Sequence, residues 1–191
     1  MLVRTITTVA ACLCTVGCAG AKPNTHPARV LIIRHAEKPD DQSDRRLSAT
    51  GKNRAAALHE LFEKSEARPE PFPRPEFIFA AGPSKNSDRS EETVAPLAKR
   101  LGLKLDARFG HESYDALAKE LLGNPKYAGK TVLICWHHGN IPELAQALGY
   151  PEVPDKWKDG VFDRVWEVTY TGGKAMLHKR PQALLPGDAK N

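Results

Sequence analysis

VLIIRHAEKP, residues 30–39, joins a short run of apolar, mostly β-branched residues to an arginine and a histidine. Such a run is typical of a strand that is buried on both faces of a parallel sheet. Ligands of open α/β sheets bind just beyond the carboxyl ends of the strands, which is where Arg34 and His35 fall. A guanidinium group is a fixed cation that suits phosphate, and a neutral imidazole with one free ring nitrogen is a nucleophile. The pair therefore indicates a site that attacks a phosphoryl group, unless it is only the charged end of a strand.

The composition is that of one ordinary globular domain, which we place at residues 22–191. The chain has 191 residues, of which 41% are hydrophobic and 27% are charged, enough to bury a core. The net charge of +5 is compatible with an anionic substrate. It is spread along the chain without a basic stripe or interleaved aromatic residues, so we expect no nucleic-acid partner. The composition does not indicate an oligomeric state.

The N-terminal segment, residues 1–21, predicts an export signal. Arg4 precedes an apolar run that is too short to span a bilayer comfortably. The tetrapeptide TVGC, residues 15–18, resembles a bacterial lipoprotein signal, in which the cysteine, here Cys18, becomes lipidated. An ordinary secretory cleavage site at AGA, residues 19–21, is the alternative. We therefore expect an exported protein, either attached to the envelope membrane through Cys18 or released as a periplasmic or secreted protein.

One cysteine, Cys135, remains in the predicted domain, because the other three of the four lie in or at the end of the signal. The domain therefore cannot form an intramolecular disulfide. Cys135 lies inside an apolar run, which indicates a small core residue rather than a nucleophile.

Apolar runs that alternate with helical patterns predict an α/β fold. Strands are expected at residues 30–33, 77–80, 103–105 and 131–136, and helices at residues 48–67, 88–101, 113–122 and 140–148. A β-hairpin follows, with strands 162–170 and 175–178 on either side of two glycines. This order implies a three-layer sandwich, in which helices cover a mostly parallel central sheet that ends in a C-terminal β-hairpin.

Basic residues also follow the second and fourth predicted strands. Arg89 begins the helix after the second strand, and His137 and His138 lie between the fourth strand and its helix. Free backbone amides at a helix N-terminus favour an anion. Two arginines and a protonatable histidine beside His35 would offset the charge of a phosphate monoester, since charge-assisted hydrogen bonds are worth about 1.5–3 kcal/mol each.

Several segments occur in an order that matches a known family. They are RHAEK at residues 34–38, LSATG at 47–51, Arg89 with Thr93 and APLA at 95–98, and the strand and His-Gly of residues 132–139. Together they resemble the histidine phosphatase superfamily, in its phosphoglycerate-mutase-like branch, over about residues 30–149.

This resemblance implies a phosphomonoester hydrolase that needs no metal and no other cofactor. It implies that His35 is the nucleophile and forms a phosphohistidine, which water then hydrolyses. It also implies that Arg34, Arg89 and a second histidine contact the phosphate of a small phosphorylated substrate.

Two of the implied roles have more than one candidate. We assign the second histidine to His138, which directly precedes a glycine as in the family. His137 is the alternative, and the two cannot easily face one phosphate because successive strand residues point to opposite faces. The proton donor to the leaving group is usually a carboxylic acid in this branch, and we assign it to Glu112, with Asp115 and Glu37 behind it. For each carboxylate the alternative is a solvated helix-capping side chain.

Three other functions fit parts of the pattern. A phosphomutase would use the same histidine chemistry. An exported phospho-ligand-binding protein without turnover would explain why no acid stands out. A zinc site could draw on Glu37 and the three histidines by residue type, but their spacing is not that of a metal site, so we expect no metal.

Overall fold

The computed structural model describes residues 25–189, apart from residues 42, 67 and 153. The predicted export signal, its boundary at residue 21 and the predicted lipidation site Cys18 lie outside the described residues. Among the helices that are described, none is long and apolar enough to cross a bilayer.

Strands and helices alternate along the described chain. The strands are β1 (Arg29–Arg34), β2 (Phe77–Ala80), β3 (Leu105–Asp106), β4 (Thr131–Trp136), β5 (Arg164–Thr171) and β6 (Lys174–Pro181). The helices are α1 (Ala49–Ala57), α2 (Arg89–Leu101), α3 (Tyr114–Gly123) and α4 (Ile141–Ala147). Short 3₁₀ turns lie at Leu58–Phe62, Pro125–Tyr127 and His138–Asn140.

The six strands form one sheet in the order β3-β2-β4-β1-β5-β6. Strands β3, β2, β4 and β1 are parallel to one another. The last two strands are antiparallel, β5 to β1 and β6 to β5. The carboxyl ends of β2, β4 and β1 therefore lie side by side. This topology brings the three predicted strand-to-helix junctions to one edge of the sheet.

Strand β1 is buried on both of its faces. Val30 and Ile32 belong to a core that includes residues of α3 and α4. Leu31 and Ile33 belong to a second core, which includes residues of α2 and of the 3₁₀ turn after α1. The sheet thus separates two helical layers. The predicted three-layer α/β sandwich, with its mostly parallel sheet and C-terminal hairpin, is confirmed.

The first helix is shorter than predicted. One helix was expected over residues 48–67, but α1 ends at Ala57 and the chain continues as the 3₁₀ turn Leu58–Phe62. Leu58 and Leu61 are nevertheless buried. Their spacing of three residues suits the tighter 3₁₀ geometry as well as one turn of an α-helix, so the apolar pattern could not distinguish the two.

Candidate active site

The end of β1 places His35 at the centre of the candidate site. Its backbone N–H donates to the carbonyl of Trp136 at 3.1 Å, which continues the pairing of β1 with β4. The residue is only 3% exposed, and its Nδ1 lies 2.7 Å from the carbonyl oxygen of Ala36. A carbonyl can only accept, so Nδ1 carries the proton and Nε2 keeps a free lone pair. This is the tautomer that a nucleophilic imidazole needs.

His35 is held neutral by its surroundings. Burial is the main cause that lowers the pKa of His35 to about 3, and the positive charges of Arg34 and Arg89 act in the same direction. The imidazole is therefore unprotonated at neutral pH, where a lone pair on Nε2 is available for attack.

His137, and not His138, lies beside His35. The ring centroids of His35 and His137 are 5.6 Å apart, with an angle of 71° between the planes. His138 begins the 3₁₀ turn after β4, and its Nε2 lies 2.8 Å from Oδ1 of Asp159. Both histidines follow the end of β4 at Trp136, and His138 lies within reach of Arg34 and Asp159 rather than in ring contact with His35. We therefore take His137, the alternative in the sequence analysis, as the second histidine of the candidate site.

The His137 ring is also neutral at pH 7. Burial lowers its pKa to about 4, and the neighbouring charges of His111 and Arg89 add to this effect. Both imidazoles of the pair are thus uncharged near pH 7, while the guanidinium groups beside them are positive.

Arg34 is buried beneath a loop that leads into β5, residues 154–163, which we call the covering loop. The residue is 1% exposed, and its Nη1 donates to the backbone carbonyls of Asp159 and Val161. The Phe162 ring lies 4.0 Å from the guanidinium carbon. The loop is itself fixed by Trp157, which is 5% exposed and packs against β5. Backbone carbonyls and an aromatic face therefore hold the cation in place.

Arg89 begins α2 and is tied to the end of β1. The hydroxyl of Thr93 accepts a hydrogen bond from the N–H of Ala36 at 2.8 Å and donates to the carbonyl of Arg89 at 2.7 Å. The Arg89 side chain donates from Nη1 to the carbonyl of Asp44 at 2.9 Å. Thr93 thus links the residue after His35 to the first residue of the neighbouring helix.

Both arginines keep a buried donor unused. Among the described residues, the Nε atoms of Arg34 and Arg89 have no hydrogen-bond partner. Their charges also lie close enough to act on each other: burial is the main cause that lowers the pKa of Arg34 to about 10, and Arg89 contributes. A buried cationic donor without a partner is costly, so the pair fits an anion between them.

The carboxylates considered as proton donors lie elsewhere. Glu37 accepts hydrogen bonds from Nε and Nη2 of Arg54 at 2.9 and 2.7 Å. The Glu112 side chain is 86% exposed, with its carboxylate 3.9 Å from Nε2 of His111. Asp115 is exposed in the first turn of α3. The structure therefore groups Arg34, His35, Arg89 and His137, and leaves Glu112 and Asp115 at the surface.

Comparisons with known proteins identify the architecture. No protein-family model matches the chain, and no curated protein matches it in sequence. A mycobacterial glucosyl-3-phosphoglycerate phosphatase, solved with inorganic phosphate, superposes with a TM-score of 0.53 at 16% identity, over 80% of this chain and 96% of that chain. A phosphoserine phosphatase from Entamoeba histolytica, in complex with 3-phosphoglyceric acid, superposes with a TM-score of 0.53 at 15% identity, over 82% of this chain and 99% of that chain. This is the histidine phosphatase fold.

One ring at the site of this histidine phosphatase fold was not singled out in the sequence. His111 stacks on His137, with ring centroids 4.8 Å apart and an angle of 27° between the planes. It lies between β3 and α3, next to Glu112, the carboxylate that the sequence predicts as the proton donor. The presence of a histidine in this segment is the sequence feature that could have indicated it.

Behind the site, α1 packs on the backbone that follows His35. Arg54 of α1 is 4% exposed and pairs with Glu37 and with Asp188, each at 2.7 Å. A Cβ atom at Gly51 would lie 2.4 Å from the carbonyl oxygen of Glu37, so only glycine allows this approach. In this histidine phosphatase fold, α1 therefore fixes the path of the chain directly after His35.

Proposed function

We propose that this protein hydrolyses phosphate monoesters through a phosphohistidine that forms on His35. One observation carries the proposal. The buried, neutral His35, with Nε2 free, lies beside two guanidinium groups that each keep an unused buried donor. A nucleophile next to cationic donors that can bind a phosphate is the arrangement that phosphoryl transfer to a side chain requires.

The cations first serve to bind the phosphate. The Nε–H groups of Arg34 and Arg89 are free to donate to phosphate oxygens, and His137 lies at the same edge of the sheet. A bound dianion adds negative charge next to His137 and favours the protonated form of its ring. Protonated His137 then serves as an additional cationic hydrogen-bond donor to the bound phosphate.

The reaction proceeds in two displacements. Nε2 of His35 attacks phosphorus, and the bond from phosphorus to the ester oxygen breaks. Arg34, Arg89 and His137 stabilise the charge on the oxygens of the transferring group. Water then attacks the phosphohistidine, the P–N bond breaks with its electrons returning to His35, and inorganic phosphate leaves.

The decisive experiment removes the nucleophile. We expect His35→Ala to lose at least about 10³-fold in kcat on p-nitrophenyl phosphate, because the covalent step has no substitute. Rapid quenching of the wild type with labelled substrate should trap an acid-labile phosphoprotein that the variant lacks. His178→Ala, at an exposed position of β6, is the matched control and should keep full activity. Full activity in His35→Ala would contradict the mechanism.

A binding protein without turnover is the second candidate. It is favoured by the positions of the carboxylates, since Glu37 is bound to Arg54 and Glu112 is exposed. Such a protein would bind inorganic phosphate but release none from a panel of monoesters. A phosphomutase would instead return an isomer of a phosphoglycerate rather than inorganic phosphate, so product analysis separates all three functions.

We also propose that the chain is exported and lipidated on Cys18. The support is the sequence TVGC at residues 15–18, which follows a short apolar run and a basic residue. Metabolic labelling with a fatty acid should mark the wild type and not Cys18→Ser. Processing of both proteins without label would instead indicate the secretory site at residues 19–21.

A further inference from the structure

His111 lies on a turn that is fixed to the strand carrying His137. The indole Nε1 of Trp136, a fully buried residue at the end of β4, donates to the carbonyl oxygen of His111 at 2.9 Å. Two residues earlier in the turn, the carbonyl of Phe109 accepts a hydrogen bond from the N–H of Gly82 at 2.7 Å. The turn is thus anchored to β4 and to the end of β2. A solvated loop histidine would not need these anchors.

The His111 ring extends the pair of site histidines toward solvent. It stacks on His137 at 4.8 Å, and His137 in turn lies 5.6 Å from His35. His35 is 3% exposed, whereas the His111 side chain is 37% exposed. In an in-line displacement the leaving oxygen departs on the side away from the nucleophile. Because His35 is buried, its attack directs the leaving oxygen toward the more exposed side of the site, and His111 is the more exposed ring.

We propose that His111 donates the proton to the leaving oxygen, a role for which the sequence offered only carboxylates. This inference rests on the proposed phosphatase function. As His35 forms the P–N bond, the ester P–O bond breaks, and the leaving oxygen takes the bonding electron pair and a proton from the His111 imidazolium. In the second step, neutral His111 accepts a proton from the attacking water while the P–N bond breaks. The cycle returns both rings to their starting states.

Glu112 supports this role from outside the site. Its carboxylate lies 3.9 Å from Nε2 of His111 and is largely solvated. At this distance it does not form a hydrogen bond with the ring, but its negative charge lies next to the ring nitrogen. The carboxylate that the sequence analysis assigns as the donor thus lies directly beside the histidine.

The test separates proton donation from packing by the basicity of the leaving group. His111→Phe keeps an aromatic ring to stack on His137 but cannot donate a proton. We expect a loss of about 10²–10⁴-fold in kcat/KM on 2-phosphoglycerol, whose alkoxide must be protonated. On p-nitrophenyl phosphate, whose leaving group is a weak base, the loss should be small. His178→Phe, on the outer strand β6, should change neither rate.

A second variant guards against misfolding. His111→Ala should regain activity on 2-phosphoglycerol when free imidazole is added, and its circular dichroism should match that of the wild type. Equal losses on both substrates, or no loss on either, would overturn the proton-donor role. So would a wild type that hydrolyses only the aryl ester.

The outcomes also distinguish this inference from the function on which it rests. Suppose that the wild type is active, His35→Ala is inactive and His111→Phe is unaffected. This result would support the proposed phosphatase function and contradict only the role of His111. A wild type that hydrolyses neither ester and forms no phosphohistidine would overturn both.

Discussion

At the scale of single residues, the candidate site combines two neutral imidazoles with two permanently charged guanidinium groups. Burial lowers the pKa of His35 to about 3 and that of His137 to about 4, and the guanidinium of Arg89 acts on both in the same direction. Cys135 in β4 is fully buried, which confirms the prediction of a small core residue, and burial also raises the pKa of its thiol. The site thus combines permanent cations, which favour an anion, with two imidazoles that are unprotonated at neutral pH.

An anion should therefore protonate His137. We expect sulfate, a dianion that does not titrate near neutrality, to raise the fraction of protonated His137 at about pH 6, because its charge favours the imidazolium. Heteronuclear NMR of the ring nitrogens, with and without sulfate, measures this directly. His178, exposed on β6, serves as the internal control and should not respond. A His137 ring that stays neutral when sulfate is bound would remove it from the anion site.

At the scale of elements, α1 stabilises the site from behind. Arg54 joins three parts of the chain: α1, the segment after β1 through Glu37, and the segment after β6 through Asp188. The side chains of Glu37 and Asp188 are 17% and 7% exposed. Both carboxylates depend on this one guanidinium for charge compensation, which also lowers the pKa of Asp188 to about 2 against the opposing effect of burial.

Loss of that guanidinium should cost considerable stability. We expect Arg54→Met to lower the free energy of unfolding by about 3–5 kcal/mol, because it leaves two poorly solvated carboxylates without their paired cation. Arg100→Met breaks an exposed pair with Glu63, whose side chains are 56% and 53% exposed, and should cost less than about 1 kcal/mol. Urea denaturation of both variants gives the comparison, and equal costs would show that the Arg54 network is not stabilising.

At the scale of the whole molecule, the buried histidines make stability depend on pH. The unfolded chain binds protons at His35 and His137 near a pKa of about 6.5, whereas the folded chain binds them only near 3 and 4. Between these values the unfolded state binds more protons than the folded state. The histidines therefore favour folding fully above about pH 6.5 and progressively less as the pH falls.

Urea denaturation between about pH 5 and 6.5 tests this linkage. Each histidine contributes at most about 1.4 kcal/mol per pH unit to the loss of stability on acidification. The double variant His35→Asn, His137→Asn should show a correspondingly shallower dependence over the same range. Parallel curves for the two proteins would mean that these rings titrate alike in the folded and unfolded states.

Much of the fold could be predicted because burial leaves a direct mark on the sequence. A strand buried on both faces must be apolar throughout, so β1 and β4 were found almost to the residue. The end of α1 could not be predicted, because apolar residues spaced three apart fit a 3₁₀ turn as well as an α-helix. Topology then followed from the alternation of strands and helices, and with it the convergence of Arg34, His35 and Arg89.

The site was less predictable where it depends on geometry beyond the strand ends. The choice between His137 and His138 depends on how the chain turns after β4 ends at Trp136, and the sequence does not record the direction of two consecutive side chains outside a strand. The stack of His111 on His137 joins separate segments of the chain, which no local spacing records. The pairing of Arg54 with Asp188 spans most of the domain and could not be inferred from either neighbourhood.

The link from Asp188 through Arg54 to Glu37 matters for the design of truncated or tagged versions of this protein. Carboxyl-terminal residues can usually be deleted without loss of stability. Here, a deletion that removes residues 184–189 takes away Asp188, one of two carboxylates that pair with Arg54. The other carboxylate, Glu37, lies two positions after His35. A carboxyl-terminal tag should therefore be joined after residue 189, and a shortened protein should keep every residue up to that position.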